Sequence, residues 1–126
     1  MKLGTFLAIA AVIAFVFGLG FILVPAQMLA MYGETLDATG QWLARYLGSA
    51  FIGIAVVSWF ARNAAQNGAM RAIILGFFVL NITGLIVAVL DGLSGTGSAL
   101  IWLNVVIYLF FALGFGYFQF IKPVSS

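Results

Sequence analysis

Cysteine and histidine are both absent from this chain, and with them goes most of the chemistry a small protein can carry. Without Cys there is no disulfide, no thiol nucleophile, and no iron–sulfur or thiolate metal site. Without His as well, the common axial haem ligands are missing. Charge is scarce: five Lys and Arg stand against three Asp and Glu, 6% of the 126 residues, where soluble domains carry about a quarter. The acids Glu34, Asp37 and Asp91 are too few and too separated to frame a metal site. No lysine falls inside an apolar segment, so a retinal-type Schiff base has no candidate. The expectation is therefore no catalytic residue, no metal and no cofactor, and a protein that is not an enzyme.

What the chain has in abundance is hydrophobic sequence, 65% of all residues. Four long apolar segments, at about 3–24, 42–60, 72–90 and 99–118, are separated by short polar joints. Each is close to the roughly 20 residues a helix needs to cross about 30 Å of hydrocarbon. Backbone groups in lipid must be bonded internally, and runs this continuously apolar are not the alternating strands of a barrel. The sequence thus predicts an all-α fold, a four-helix transmembrane bundle forming one integral membrane domain over 1–126. The first segment, preceded by Lys2, has some look of a signal peptide, and Ala26 to Ala30 offers small residues near its end. Its apolar run exceeds the roughly 7–15 residues of a signal core, so it is read as a membrane helix.

Lys2, Arg62, Arg71 and Lys122 lie at the N-terminus, the second joint and the C-terminus. Four successive crossings put all of these on one side, which the positive-inside rule makes cytoplasmic. The acids fall in the first and third joints. The net charge of +2 is spread over three places and suits anionic lipid headgroups rather than a nucleic acid.

The first joint begins with Pro25, which ends the first helix. Ala26, Met28, Leu29, Met31 and Tyr32 then form a short amphipathic stretch stopped by Gly33, expected to lie along the outer interface as a lid or as a partner-binding surface. Asp37 is placed to cap the second helix, with Gly40 and Gln41 in its first turn.

Arg45 falls only a few residues inside the second apolar segment, where a long side chain can reach back to the interface. Asp37, Gln41, Arg45, Ser49 and Gly53 recur every four residues and share one helix face. Such a polar or small stripe is expected to turn inward. There Arg45 would meet Asp91 at the outer end of the third helix and Asn104 near that of the fourth, as an ion-pair cluster or as a receptor for an anionic group. Asn81 lies close to the midplane, where an amide is expected to bond across helices, with Thr83 nearby. The inner half holds little that is polar, which argues against a continuous aqueous pore. The first segment carries no carboxylate, as a proton-coupled antiporter of the small multidrug type requires. Gly48, Gly53, Gly76 and Gly84 are candidates for close helix packing, within the bundle or between copies. Trp42, Tyr46, Trp102, Trp59 and Tyr117 fit two aromatic belts.

The run Val24-Pro25 through Tyr32-Gly33, then Leu36-Asp37, Gly40, Leu43-Ala44-Arg45, Gly48 and Ala50, resembles a group of small bacterial four-helix inner-membrane proteins, loosely DoxX-like. The resemblance extends over nearly the whole chain and implies a four-helix fold in a bacterial inner membrane; the charge placement above is what puts both termini in the cytoplasm. It carries no agreed activity, and Arg45 is the one position it marks. Two functional classes remain. The first is a structural or accessory membrane subunit or homo-oligomer. The second is a binder or transporter of a lipid, quinone or small amphiphile through an outer-leaflet cavity around Arg45.

Overall fold

The computed structural model describes residues 1–95 and 98–122, and every regular element among them is helical. In order these are α1 (Leu3–Leu23), α2 (Pro25–Ala30), α3 (Ala38–Ala61), α4 (Gly68–Ser94) and α5 (Ile101–Gly116), which runs into a π-helical turn, Tyr117–Ile121. Four stretches, Leu3–Leu23, Ala38–Ala61, Gly68–Ser94 and Ile101–Ile121, are long and apolar enough to cross a membrane. The chain is that of a multi-pass membrane protein. The short helix between the first two spans is present as expected. The chain divides into two compact units, Met1–Asn63 and Ala64–Ser126.

In the first unit α1 and α3 pack antiparallel. α1 ends at Leu23 because Val24 leaves helical geometry and Pro25 opens α2 at its first position, where a missing N–H costs nothing. Met28 of α2 folds back over Gly20, where a methyl would stand 2.7 Å from the Met28 sulfur and displace that flexible side chain. Gly33 then takes φ +77°, a left-handed turn that stops the segment as glycine allows without strain. Tyr32 beside it is buried. Asp37 caps α3: its Oδ1 accepts from the Gly40 N–H at 2.7 Å, the bond that satisfies an orphan donor of the first turn.

The contact between the two long helices is set by small residues. α3 buries Ala44, Gly48, Ala55, Ser58 and Ala61, and α1 buries Leu7, Ala10, Ala11, Ala14 and Gly18 among others. At the crossing the backbones themselves meet. A methyl built on Gly48 would stand 2.8 Å from the Gly18 carbonyl oxygen, and one on Gly18 would stand 3.0 Å from that of Gly48. At the far end the same closeness recurs, 2.7 Å between a methyl on Gly4 and the Arg62 carbonyl. Phe17, Phe21 and Phe51 form a ring cluster, with Phe21 and Phe51 stacked at 6.1 Å.

In the second unit α4 and α5 also pair antiparallel, through rings set on glycines. Tyr108 lies against Gly84, Trp102 against Gly92 and Phe78 against Gly116, while Phe77 and Phe115 meet at 5.4 Å and Phe78 and Phe120 at 5.3 Å. Asn67 caps α4 by accepting from the Met70 N–H at 3.1 Å. Gly95, at φ +82°, ends it in the left-handed conformation.

The helices overrun the apolar segments from which they were expected. α3 starts at Ala38 rather than 42, because the Asp37 cap carries Thr39, Gly40 and Gln41 into the first turn. α4 runs over Gly68–Ser94 rather than 72–90, so Arg71 and Asp91 lie inside it. The last span begins at Ile101, not 99, and its helical path continues beyond 118 to Ile121.

Candidate functional site

The expected polar stripe exists on α3, but it does not turn into the pair with α1. Arg45, Ser49 and Gly53 are exposed and Gln41 is half-buried. The face that packs on α1 is the neighbouring one, through Ala44, Gly48, Ala55 and Ser58. The reason is geometric: a close backbone contact selects small side chains, and a guanidinium one position along from Ala44 is carried about 100° around the helix. Gln41 reaches back to the Leu36 carbonyl at 3.5 Å, which ties the stripe to the cap rather than to a ligand.

Arg45 makes no hydrogen bond or ion pair to any described residue of Met1–Asn63. Its neighbours along the exposed side are Trp42 and Tyr46, which meet edge to face at 5.2 Å. Guanidinium and rings together make an exposed cationic and amphipathic patch on the first turns of α3, suited to the headgroup level of a bilayer.

Asp91 and Asn104 belong to the second unit and are both half-buried. The α4/α5 register, with Gly92 against Trp102, brings them to the same end of that pair. Asn81 is buried at 7% exposure. The expected cross-helix bond from its amide is not what forms: Nδ2 donates to the Phe77 carbonyl of its own helix at 2.7 Å. Thr83 does likewise, its Oγ1 donating to the Val79 carbonyl at 2.8 Å. Both side chains satisfy themselves locally, a pattern open to any short polar group on a helix. Among the described residues neither side chain bonds to the other helix of its own unit.

Of the four candidate packing glycines, Gly48 and Gly84 are used within their own units, against Gly18 and Tyr108 respectively, and Gly53 and Gly76 meet nothing within 4 Å. Among the described residues no group of His, Cys, Asp and Glu could hold a metal ion. Two features escaped the sequence. Ser58 is fully buried with its Oγ unpaired; its position three residues after Ala55, on the small-residue face, was the available signal. Arg62 lies 3.7 Å over the Trp59 ring and donates through Nη1 to the Trp59 carbonyl, an i, i+3 pairing that a helical reading of 59 and 62 contains.

Comparison with known proteins yields nothing to set beside this geometry: no family model, no curated protein and no solved structure matches the chain.

Proposed function

We propose that this protein is a structural or accessory membrane subunit that assembles with further copies of itself or with a larger membrane complex. The observation that carries the proposal is a pair of glycines, one in each unit, left without a use inside their own units. Gly53 on α3 and Gly76 on α4 both lie within spans, where glycine weakens an isolated helix by about 1 kcal/mol, and a methyl built at either would have no described atom of its own unit beyond its own helix within 4 Å. In lipid, such smooth faces serve close approach of another helix.

The charge pattern supports placing both termini and the Arg62 and Arg71 joint in the cytoplasm, and the DoxX-like sequence pattern supports a bacterial inner membrane. The test is native mass spectrometry of the protein in mild detergent, with Gly53→Leu and Gly76→Leu beside it. Assembly is expected in the parent protein and loss of the higher mass in at least one variant, with helical content unchanged. A protein that is monomeric both in detergent and in nanodiscs, and that carries no co-purifying subunit, overturns the proposal.

One observation favours a second reading, binding of a lipid, quinone or small amphiphile: the exposed Arg45 guanidinium has no partner in its own unit. On that reading Arg45→Ala removes a small molecule retained by the purified protein while leaving it folded. Unfolding of Arg45→Ala in detergent would instead make Arg45 a structural group and end the binding reading.

A further inference from the structure

In the half of the first unit away from Arg45, reaching from the middle of α1 toward the Arg62 end of α3, the two helices leave an apolar groove between them of about 290 Å³, lined by Ala11, Val12 and Phe15 on one side and Ala55, Val56 and Trp59 on the other. Its lining offers a polar solute nothing to bind, and it is too small to seat a helix, whose diameter with side chains is about 10–12 Å. An extended hydrocarbon chain suits it.

What lies at the rim narrows the occupant further. The Trp59 ring that closes the groove carries the Arg62 guanidinium at 3.7 Å. Arg62 gives one N–H to the Trp59 carbonyl, and a guanidinium has five donors in a planar fork, so it is held in place with donors to spare. The approach of Gly4 to the Arg62 carbonyl brings the start of α1 to the same end, where Lys2 is exposed. The acids of this unit, Glu34 and Asp37, both lie in the joint between α2 and α3, at the other end of the pair. Positive charge is thus concentrated at one mouth of an apolar groove, without a compensating carboxylate in the unit at that end.

We infer that this groove holds one acyl chain of an anionic phospholipid whose headgroup phosphate is taken by Arg62, with Lys2 adding to the local field. The inference concerns a different end of the unit from the Arg45 patch and does not depend on the state of assembly. Arg62 anchors the phosphate, because its planar fork matches phosphate oxygens and its place over Trp59 is already fixed. The positive field at this mouth, with no carboxylate of the unit at that end to offset it, disfavours a choline cation and so selects the anionic lipid. The groove supplies affinity for the chain, at about 0.8 kcal/mol for each buried methylene.

The test uses the intact protein in mild detergent, titrated with synthetic dioleoyl phosphatidylglycerol or, separately, dioleoyl phosphatidylcholine, and read by native mass spectrometry. Phosphatidylglycerol is expected to be retained in preference to phosphatidylcholine. Arg62→Gln should weaken its retention by about fivefold, the factor expected of one basic residue near an anionic headgroup. Val56→Trp, which fills the groove from an exposed position and leaves the cations in place, should reduce retention of both lipids. Lys122→Gln, a charge change in the other unit, should leave retention unaltered. Equal retention of the two lipids by the parent protein identifies ordinary boundary lipid and overturns the inference. So does a loss with Lys122→Gln matching that with Arg62→Gln, a retention that Val56→Trp does not reduce, or a second copy of the chain occupying the groove in place of lipid. Circular dichroism of each variant separates loss of binding from loss of fold.

Discussion

Replacing Gly48 with Ala should weaken the α1/α3 pair, whereas the same replacement at Gly53, five residues along the same helix, should not. The new methyl at 48 would lie 2.8 Å from the Gly18 carbonyl oxygen, 2.8 Å from Ile22 Cγ1 and 3.1 Å from the Ile22 nitrogen. Ordinary contact begins near 3.4 Å, so the shortfall is 3.4 minus 2.8, or 0.6 Å. Two of the three atoms are backbone inside a helix and cannot swing aside, so the helices must part by about that distance at their crossing. A radial gap of about 0.5–1 Å forfeits a quarter to a half of the dispersion attraction of each atom pair it opens. Overpacking of this kind typically costs about 1–3 kcal/mol. Both substitutions gain the same helix-propensity advantage of Ala over Gly, about 1 kcal/mol, and it cancels in the comparison. Gly53 meets nothing within 4 Å. The expected difference between the variants is therefore the overpacking cost alone, about 1–3 kcal/mol. Reversible unfolding in mixed micelles, followed by far-ultraviolet circular dichroism, measures it. Equal stabilities within about 0.5 kcal/mol, the usual scatter of independent substitutions, would show that the helices do not meet at Gly18 and Gly48.

Ser58→Ala should leave stability unchanged or raise it by about 1 kcal/mol, because the hydroxyl it removes is buried without a partner and an unpaired buried polar group is itself costly; a loss above about 1 kcal/mol in the same assay would mean that Ser58 makes a bond the pair needs. In the second unit, Gly84→Ala should destabilise by driving a methyl into the Tyr108 ring. That cost should shrink by about 1 kcal/mol or more when Tyr108→Ala is also present, since contacting sites couple, and additive losses across the double-mutant cycle would refute the contact.

The four spans were legible because continuous apolarity of this length suits a helix surrounded by lipid and little else, and the Asp37 cap and the Gly33 stop were legible because each is local chemistry. Helix ends were less so. Polar residues continue a helix once a cap has started it, and Thr39 through Gln41 show this at α3; Asn67, ahead of the apolar run that begins at 72, does the same for α4. The packing faces were the least legible part. α1 is apolar on all sides, so periodicity carries no signal for which side meets α3. On α3 the visible pattern was polarity at 41, 45 and 49, yet the contact follows size at 44, 48, 55 and 58. Between membrane helices, where lipid is as apolar as any side chain, close approach of backbones drives association more than the hiding of polar groups. Asn81 and Thr83 teach the same lesson: each bonds to its own helix, because a carbonyl four residues back is always within reach.

The same physics accounts for an arginine that lies in a span without a partner among the described residues of its own unit. α3 has 24 residues and at 1.5 Å per residue is about 36 Å long, roughly 6 Å more than the roughly 30 Å of hydrocarbon. Trp42 and Tyr46 lie on its exposed side, and such rings settle at the headgroup level. They hold the first two turns of α3 in the interface, so Arg45, between them in sequence, needs no buried carboxylate to offset its charge. A guanidinium there reaches phosphate and water along its own stem at little cost, whereas at the bilayer centre it would cost about 3 kcal/mol. An ion pair with Asp91 is therefore not required to explain why Arg45 is tolerated. Its removal should be felt first by whatever anionic group approaches α3 from the membrane, and only weakly by the fold.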